Sequence, residues 1–244
     1  MDRITDADRP RTALVAGGTG ALGSALVALL LERGERGCGP WRHAAQAERL
    51  RSAHPDALAD GRLRLSQCDV ADPDQVAALL DVLRADWGPL WLACSVAGGW
   101  AGGTNLVDLD DIALFDRMMR MNLRTAAVVA REGLRHMGDA GGRVVLVGSR
   151  TALRPRAGEA AYTASKAALL SLVETLALEL RGTGRTVNAV LPGVIDTPAN
   201  RQAMPSAAHE RWVPPRAIAK VIAWLAGAES WPVSGAAIPV AGDS

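Results

Sequence analysis

Tyrosine and lysine are almost absent from this chain. Its 244 residues include one tyrosine, Tyr162, and only Lys166 and Lys220 among its 27 basic side chains are lysine. The two scarce types nevertheless meet in one stretch, "YTASK", four positions apart. A charge excess of either sign is also lacking. A formal net charge of +1 leaves no electrostatic footprint for nucleic acid or for an anionic membrane. No stretch approaches the ~18 uninterrupted apolar residues of a membrane span. The opening MDRITDADRP is charged with no apolar run behind it, so no secretory signal is expected and a soluble, cytoplasmic protein is. Cys38, Cys68 and Cys94 are odd in number and far apart, which excludes the paired spacings of zinc and redox motifs and leaves reduced, mostly buried thiols. His43, His54, His136 and His209 contain no i, i+4 pair, so no metal site is expected.

What remains is ordinary globular composition, 49% hydrophobic and 22% charged. Short apolar runs alternate with longer stretches of helical period. "TALVAGG" precedes "ALGSALVALLLERG"; "RLRLSQ" precedes "PDQVAALLDVLRADWG", with proline at a first-turn position and glycine at its close. "PLWLACSVAGG" leads to one long helix from Asp110 to Gly138, and "GRVVLVGS" leads to a second from Glu159 to Gly182. "TVNAVLP", a helix in "PPRAIAKVIAWLAG" and a strand near "AAIPV" complete the pattern. Strands alternating with helices imply right-handed crossovers and a parallel sheet covered on both faces. The expectation is an α/β, doubly wound, Rossmann-type fold in a single domain, since no linker, repeat or low-complexity tract cuts the chain. "RGCGPWR", Arg36 to Arg42, is assigned to the second strand by position alone, because glycine and proline replace the usual β-branched run.

Between the first strand and first helix stands "AGGTGALG", Ala16 to Gly23. Small residues there let the backbone approach a pyrophosphate, whose charge the helix N-terminus favours. Together with YxxxK, this loop makes the chain resemble the short-chain dehydrogenase/reductase family over nearly its whole length. The family loop reads TGxxxGxG; here Ala16 replaces the threonine and Ala21 the middle glycine, while Gly17, Gly20 and Gly23 stay small. Residues four apart on a helix share a face, so Tyr162 and Lys166 can address one substrate. A phenol has a pKa near ~10 and shuttles protons poorly at neutral pH; a nearby ammonium favours the phenolate. The expected division of labour is that the tyrosine moves the proton and the lysine tunes it.

The resemblance implies further roles. Ser149, thirteen residues before Tyr162, would hydrogen-bond the substrate oxygen, and Asn122 would continue a proton relay through the lysine. Thr19 and Leu22 join Gly17, Gly20 and Gly23 around the pyrophosphate. Asp69 and Val70, at the end of the third strand, would contact the adenine. Ala97 and Gly98 keep a close backbone approach, although "SVAG" stands where the family usually writes NNAG. In "PGVIDT", Pro192, Gly193, Ile195 and Thr197 would meet the nicotinamide amide and the phosphates. Strand four must then find other partners for its backbone polar groups.

The segment from Asp196 to Trp212 stands where the family carries a substrate lid, and it resembles that of dihydropteridine reductases. Trp100 and Trp212 are candidates to wall an aromatic-sized pocket; each could equally be a packed loop anchor. Arg150, Arg154, Arg156 and Arg201 gather near the expected mouth, as substrate-steering groups or as solvated surface. No Asp or Glu occurs from Gly37 to Gln46 to take a ribose 2′-hydroxyl, and Arg42 follows the second strand directly. A guanidinium there suits a 2′-phosphate, so NADP(H) is expected over NAD(H). The expected activity is hydride exchange with a small-molecule carbonyl or alcohol. Reduction of a C=N or quinonoid pterin-like ring is an alternative, and a nicotinamide-binding sensor or structural subunit is an alternative of another class. The apolar circumference of the two long helices points to a homodimer or homotetramer.

Overall fold

The computed structural model describes residues 10–243; residues 1–9, the stretch read for a secretory signal, lie outside them. Seven strands form one parallel sheet: β1 (Thr12–Ala16), β2 (Arg36–Trp41), β3 (Leu63–Gln67), β4 (Leu90–Ser95), β5 (Gly142–Val147), β6 (Arg185–Pro192) and β7 (Ala237–Val240), in the order β3-β2-β1-β4-β5-β6-β7. After β3 the chain crosses back to pair β4 with β1, so the strand order reverses beside β1. Ligands of open parallel sheets bind in the crevice at such a reversal, beyond the strands' carboxyl ends.

Alternation along the strands feeds two cores. Val15, Leu92, Val145 and Val190 point to the face covered by α1 (Ala21–Glu32) and α9 (Pro215–Leu225), where they meet Leu26, Leu30, Ile218 and Ile222. Leu14, Val144, Leu146 and Leu191 point to the opposite face. There α4 (Pro73–Trp87), α6 (Thr125–His136) and α7 (Ala160–Glu179) supply Leu80, Val129, Leu169 and Val173. Among the described residues no helix is long and apolar enough to cross a membrane. The three cysteines are free and buried, as expected; burial pushes the Cys38 thiol up to about 12 and that of Cys68 to about 11.

The irregular second strand has a local explanation. Arg36 N–H donates to Arg11 on the β1 side, whereas Gly37 N–H donates to Arg62 on the β3 side. By that alternation the nitrogen of Pro40 faces β1, but the β1–β2 pairing ends at Leu14 and Cys38. Proline therefore stands where no ladder donor is required. The expected long helix from Asp110 departs more. It is divided into α5 (Ala113–Met118), a π-helical segment over Met119–Arg124, and α6. Three short helices were not anticipated: α2 (Ala44–Ala53), α3 (Pro55–Ala59) and α8 (Pro198–Ala203).

Candidate active site

The glycine loop lies at the strand-order reversal. Gly23, in the first turn of α1, lies so close to the loop that a Cβ there would lie 2.1 Å from the Gly17 carbonyl oxygen. The first turn of α1 carries no side-chain cap and no acidic residue, and Ala21 is exposed. An uncapped helix N-terminus behind a backbone-only loop fits the diphosphate of a dinucleotide. Beyond β2, Arg42 is exposed and forms no ion pair among the described residues. Thr19 reaches Gln46 of α2 at 3.5 Å, which ties the loop to the helix after Arg42.

Asp69 lies two residues past β3 rather than at its end. Its carboxylate accepts from the Ala71 N–H at 3.0 Å, and Arg120 approaches it at 3.4 Å. Gly193 N–H donates to Val240, and Val194 and Asp196 pair with Val213. Thr197 accepts from Asn200 N–H at 3.1 Å as the N-cap of α8, and Asn200 Nδ2 donates to the Ile195 carbonyl at 2.8 Å. These bonds hold Pro192 to Thr197 along the carboxyl edge of β6.

The four polar candidates converge from three elements. Ser149 follows β5, Tyr162 and Lys166 lie one turn apart on α7, and Asn122 comes from the π-helical segment. Asn122 is fully buried. It accepts from Gly99 N–H at 3.0 Å and donates to the Gly99 carbonyl at 3.1 Å and to Ser165 Oγ at 3.0 Å. Asn122 thus holds both backbone polar groups of Gly99, the residue after "SVAG". A Cβ on Gly98 would sit 2.7 Å from Asn122 Oδ1 and 3.4 Å from Lys166 Nζ, so only glycine lets this loop lie against both.

Lys166 is 5% exposed and donates to the Val147 carbonyl at 2.8 Å. Burial pulls its ammonium down to about 8. Its nitrogen stands 6.0 Å from the Tyr162 ring centroid. The expectation that lysine lowers the tyrosine pKa needs correction here. Burial pushes the Tyr162 phenol above its ordinary value, a hydrogen bond with Ser149 works in the other direction, and the charge of Glu159 adds to the rise. One N–H of the Lys166 ammonium goes to the Val147 carbonyl, and desolvation is the largest cause of the shift on the phenol.

The outer candidates separate. Trp100 is 60% exposed at the mouth, whereas Trp212 is 8% exposed, packed on His209 with ring centroids 4.4 Å apart. Trp212 is a loop anchor, not a pocket wall. Arg201 forms a two-pronged pair with Asp196 at 2.6 and 2.9 Å, so its charge is spent within the lid segment. Arg154 and Arg156 are exposed; Arg150 is half-buried. Sequence reasoning missed Glu159, which occupies the N-cap position of α7 without a side-chain capping bond; its position three residues before Tyr162 was a readable signal. Among the described residues no cluster of three potential metal ligands occurs.

The chain is similar to known proteins over most of its length. Residues 11–207 match the family model described as short chain dehydrogenase. The chain is 34% identical to a cis-4-hydroxycyclohexanecarboxylate dehydrogenase of Sinomonas cyclohexanicum over 95% of both chains. It superposes on a short-chain dehydrogenase/reductase of Serratia marcescens with a TM-score of 0.85 and 31% identity, covering 96% of this chain and 98% of that one. A blue fluorescent protein from a metagenomic library, solved in complex with NADPH, gives a TM-score of 0.83 at 31% identity with the same coverage.

Proposed function

Because this chain belongs to the short-chain dehydrogenase/reductase family and is an oxidoreductase, we propose that it exchanges hydride between NADP(H) and a ring-sized ketone or secondary alcohol. The observation that carries the reading is the convergence of Ser149, Tyr162, Lys166 and Asn122 around one buried corner beside the glycine loop. The nicotinamide, when bound, supplies or accepts the hydride. Ser149 and Tyr162 hold the substrate oxygen between their hydroxyls, and Tyr162 gives its proton to that oxygen during reduction or takes it during oxidation. Lys166 and Asn122 position the loop and the proton path behind the phenol.

Gly17, Thr19, Gly20, Leu22 and Gly23 would hold the diphosphate, Asp69 and Val70 the adenine, and Ala97 and Gly98 the adjoining ribose. Pro192, Gly193, Ile195 and Thr197 would hold the nicotinamide. Arg42 supports NADP(H), since it is the free cation directly beyond β2; a structural neighbour was solved with NADPH. A relative named for a hydroxycyclohexanecarboxylate supports ring substrates. We also infer a homodimer or homotetramer from apolar surface such as Leu178 on α7, 57% exposed; a monomer mass in light scattering at micromolar protein would remove that inference. The test of the activity is a panel of cyclic ketones and alcohols with NADPH and NADH. Tyr162→Phe is expected to keep NADPH binding while turnover falls by roughly a thousandfold or more, because the proton donor is gone. Undiminished turnover in that variant would sink the assignment.

A further inference from the structure

Glu159 is a carboxylate near the mouth that the proposed reaction leaves unused. It stands at the N-cap position of α7 but makes no capping hydrogen bond with its side chain, and Tyr162 follows it by three positions. Its Oε2 is buried and has no hydrogen-bond partner, and among the described residues no Lys, Arg or His pairs with it. A carboxylate oxygen withdrawn from water without a donor is costly, and proteins seldom retain one without a use for it. The surroundings are specific. Gly103 N–H donates to the Gly158 carbonyl at 2.9 Å, which lays the Trp100 loop across the start of α7. A Cβ on Gly102 would lie 3.2 Å from both Glu159 Cγ and Trp100 Cζ2. The Glu159 and Trp100 side chains therefore flank Gly102 together, and the indole is mostly exposed. Glycines at 98, 99, 102 and 103 surround Trp100, so the loop can lift from the carboxylate at small conformational cost.

Building on the ketoreductase reading, we propose that Trp100 and Glu159 form a recognition subsite for a ring ketone bearing a hydroxyl donor. The ring face lies on Trp100, and the ring hydroxyl donates to the Glu159 carboxylate while the ketone oxygen reaches Ser149 and Tyr162. An apolar ring of the same size would leave the carboxylate unpaired when the loop closes over it. A site built to accept a substrate hydroxyl discriminates most strongly against the analogue that lacks one.

The probes are the regioisomers of hydroxytetralone, each paired with its methyl ether, which keeps the ring and the size but removes the donor. With NADPH as reductant, at least one regioisomer is expected to exceed its methyl ether in kcat/KM by roughly 10- to 100-fold, the range of one hydrogen bond to a charged group. Glu159→Leu should bring that ratio close to one, and Glu159→Gln, which retains an acceptor, should keep part of it. Using the ratio cancels the effect of the Glu159 charge on Tyr162, which both ketones share. A wild-type ratio near one for every regioisomer, or an unchanged ratio in Glu159→Leu, would overturn the subsite while leaving the ketoreductase reading in place. Failure to reduce unsubstituted tetralone and every other ring ketone would instead overturn the ketoreductase reading, and the subsite with it.

Discussion

Replacing Lys166 by methionine isolates one buried charge. The side chain is 5% exposed, its nitrogen donates to the Val147 carbonyl at 2.8 Å, and no carboxylate pairs with it among the described residues. Burial lowers its pKa from 10.5 to about 8. A base whose folded-state pKa is depressed binds fewer protons folded than unfolded between those two values, so stability rises with pH across that window. Below about pH 8 both states are protonated and the full penalty of the buried ammonium is present; above it the folded protein sheds the proton and the penalty fades. Integrated from about pH 7.5 to about pH 9.5, the gain is about 2 kcal/mol. The three buried thiols act in the opposite sense above their ordinary range, because burial raises each of them. They are common to both proteins, so the difference between wild type and Lys166→Met removes them. The assay is urea unfolding of both proteins at several pH values. The wild-type-minus-variant stability should climb by about 2 kcal/mol over that interval. A flat difference would refute the reasoning and mean that Lys166 is solvated or paired.

Arg42→Ala should raise the Michaelis constant for NADPH roughly tenfold to a hundredfold while changing that for NADH little, the expected loss of charged hydrogen bonding to a 2′-phosphate; equal effects on both cofactors in steady-state kinetics would show that Arg42 does not read the phosphate. Gly23→Ala should abolish measurable cofactor binding in a fluorescence titration and destabilise the fold by about 1–3 kcal/mol, since the new methyl would meet the Gly17 carbonyl at 2.1 Å. Normal affinity would mean that the loop can retreat from α1. Asn122→Ala leaves the Gly99 N–H and carbonyl unpartnered and should cost about 2–4 kcal/mol in chemical unfolding; a loss of activity without a loss of stability would assign Asn122 to proton transfer alone.

The parts of this molecule that were readable in sequence are those fixed by local geometry. Strand and helix alternation, the glycine loop and the one-turn spacing of Tyr162 and Lys166 depend on residues close in the chain, and the structure places each where its spacing requires. The long helix from Asp110 could not be read as broken, because Met119–Arg124 is a good helical sequence and its π-helical turn follows from the packing of Asn122 against Gly99, 23 residues away. Trp100 and Trp212 looked equivalent as sequence. Burial against His209 separates them, and burial is a property of the whole fold. The same holds for Tyr162, whose proton affinity follows from the desolvation of its corner and not from its distance to Lys166 along the helix.

The "SVAG" segment shows how such a long-range dependence reshapes a site. With valine and alanine in the loop, no side chain of its own can hold the backbone that passes between the glycine loop and α7. Val96 N–H is taken up by the Ala16 carbonyl at 2.9 Å, which fastens the segment to β1, and Asn122 brackets Gly99 from the other side. Ser95 Oγ, by contrast, is buried without a partner among the described residues. An unpaired buried hydroxyl costs about 1–3 kcal/mol, and it lies at the root of the loop that ends in Trp100. The loop is anchored at Val96 and Gly99 on its cofactor side and, beyond Trp100, by the Gly103 N–H on the Gly158 carbonyl. With valine and alanine at residues 96 and 97, Asn122 is the side chain that holds the Gly99 backbone, alongside the backbone bond from Val96 to Ala16, which is why Asn122→Ala, rather than any change in the loop itself, should be the most destabilising polar substitution in this corner.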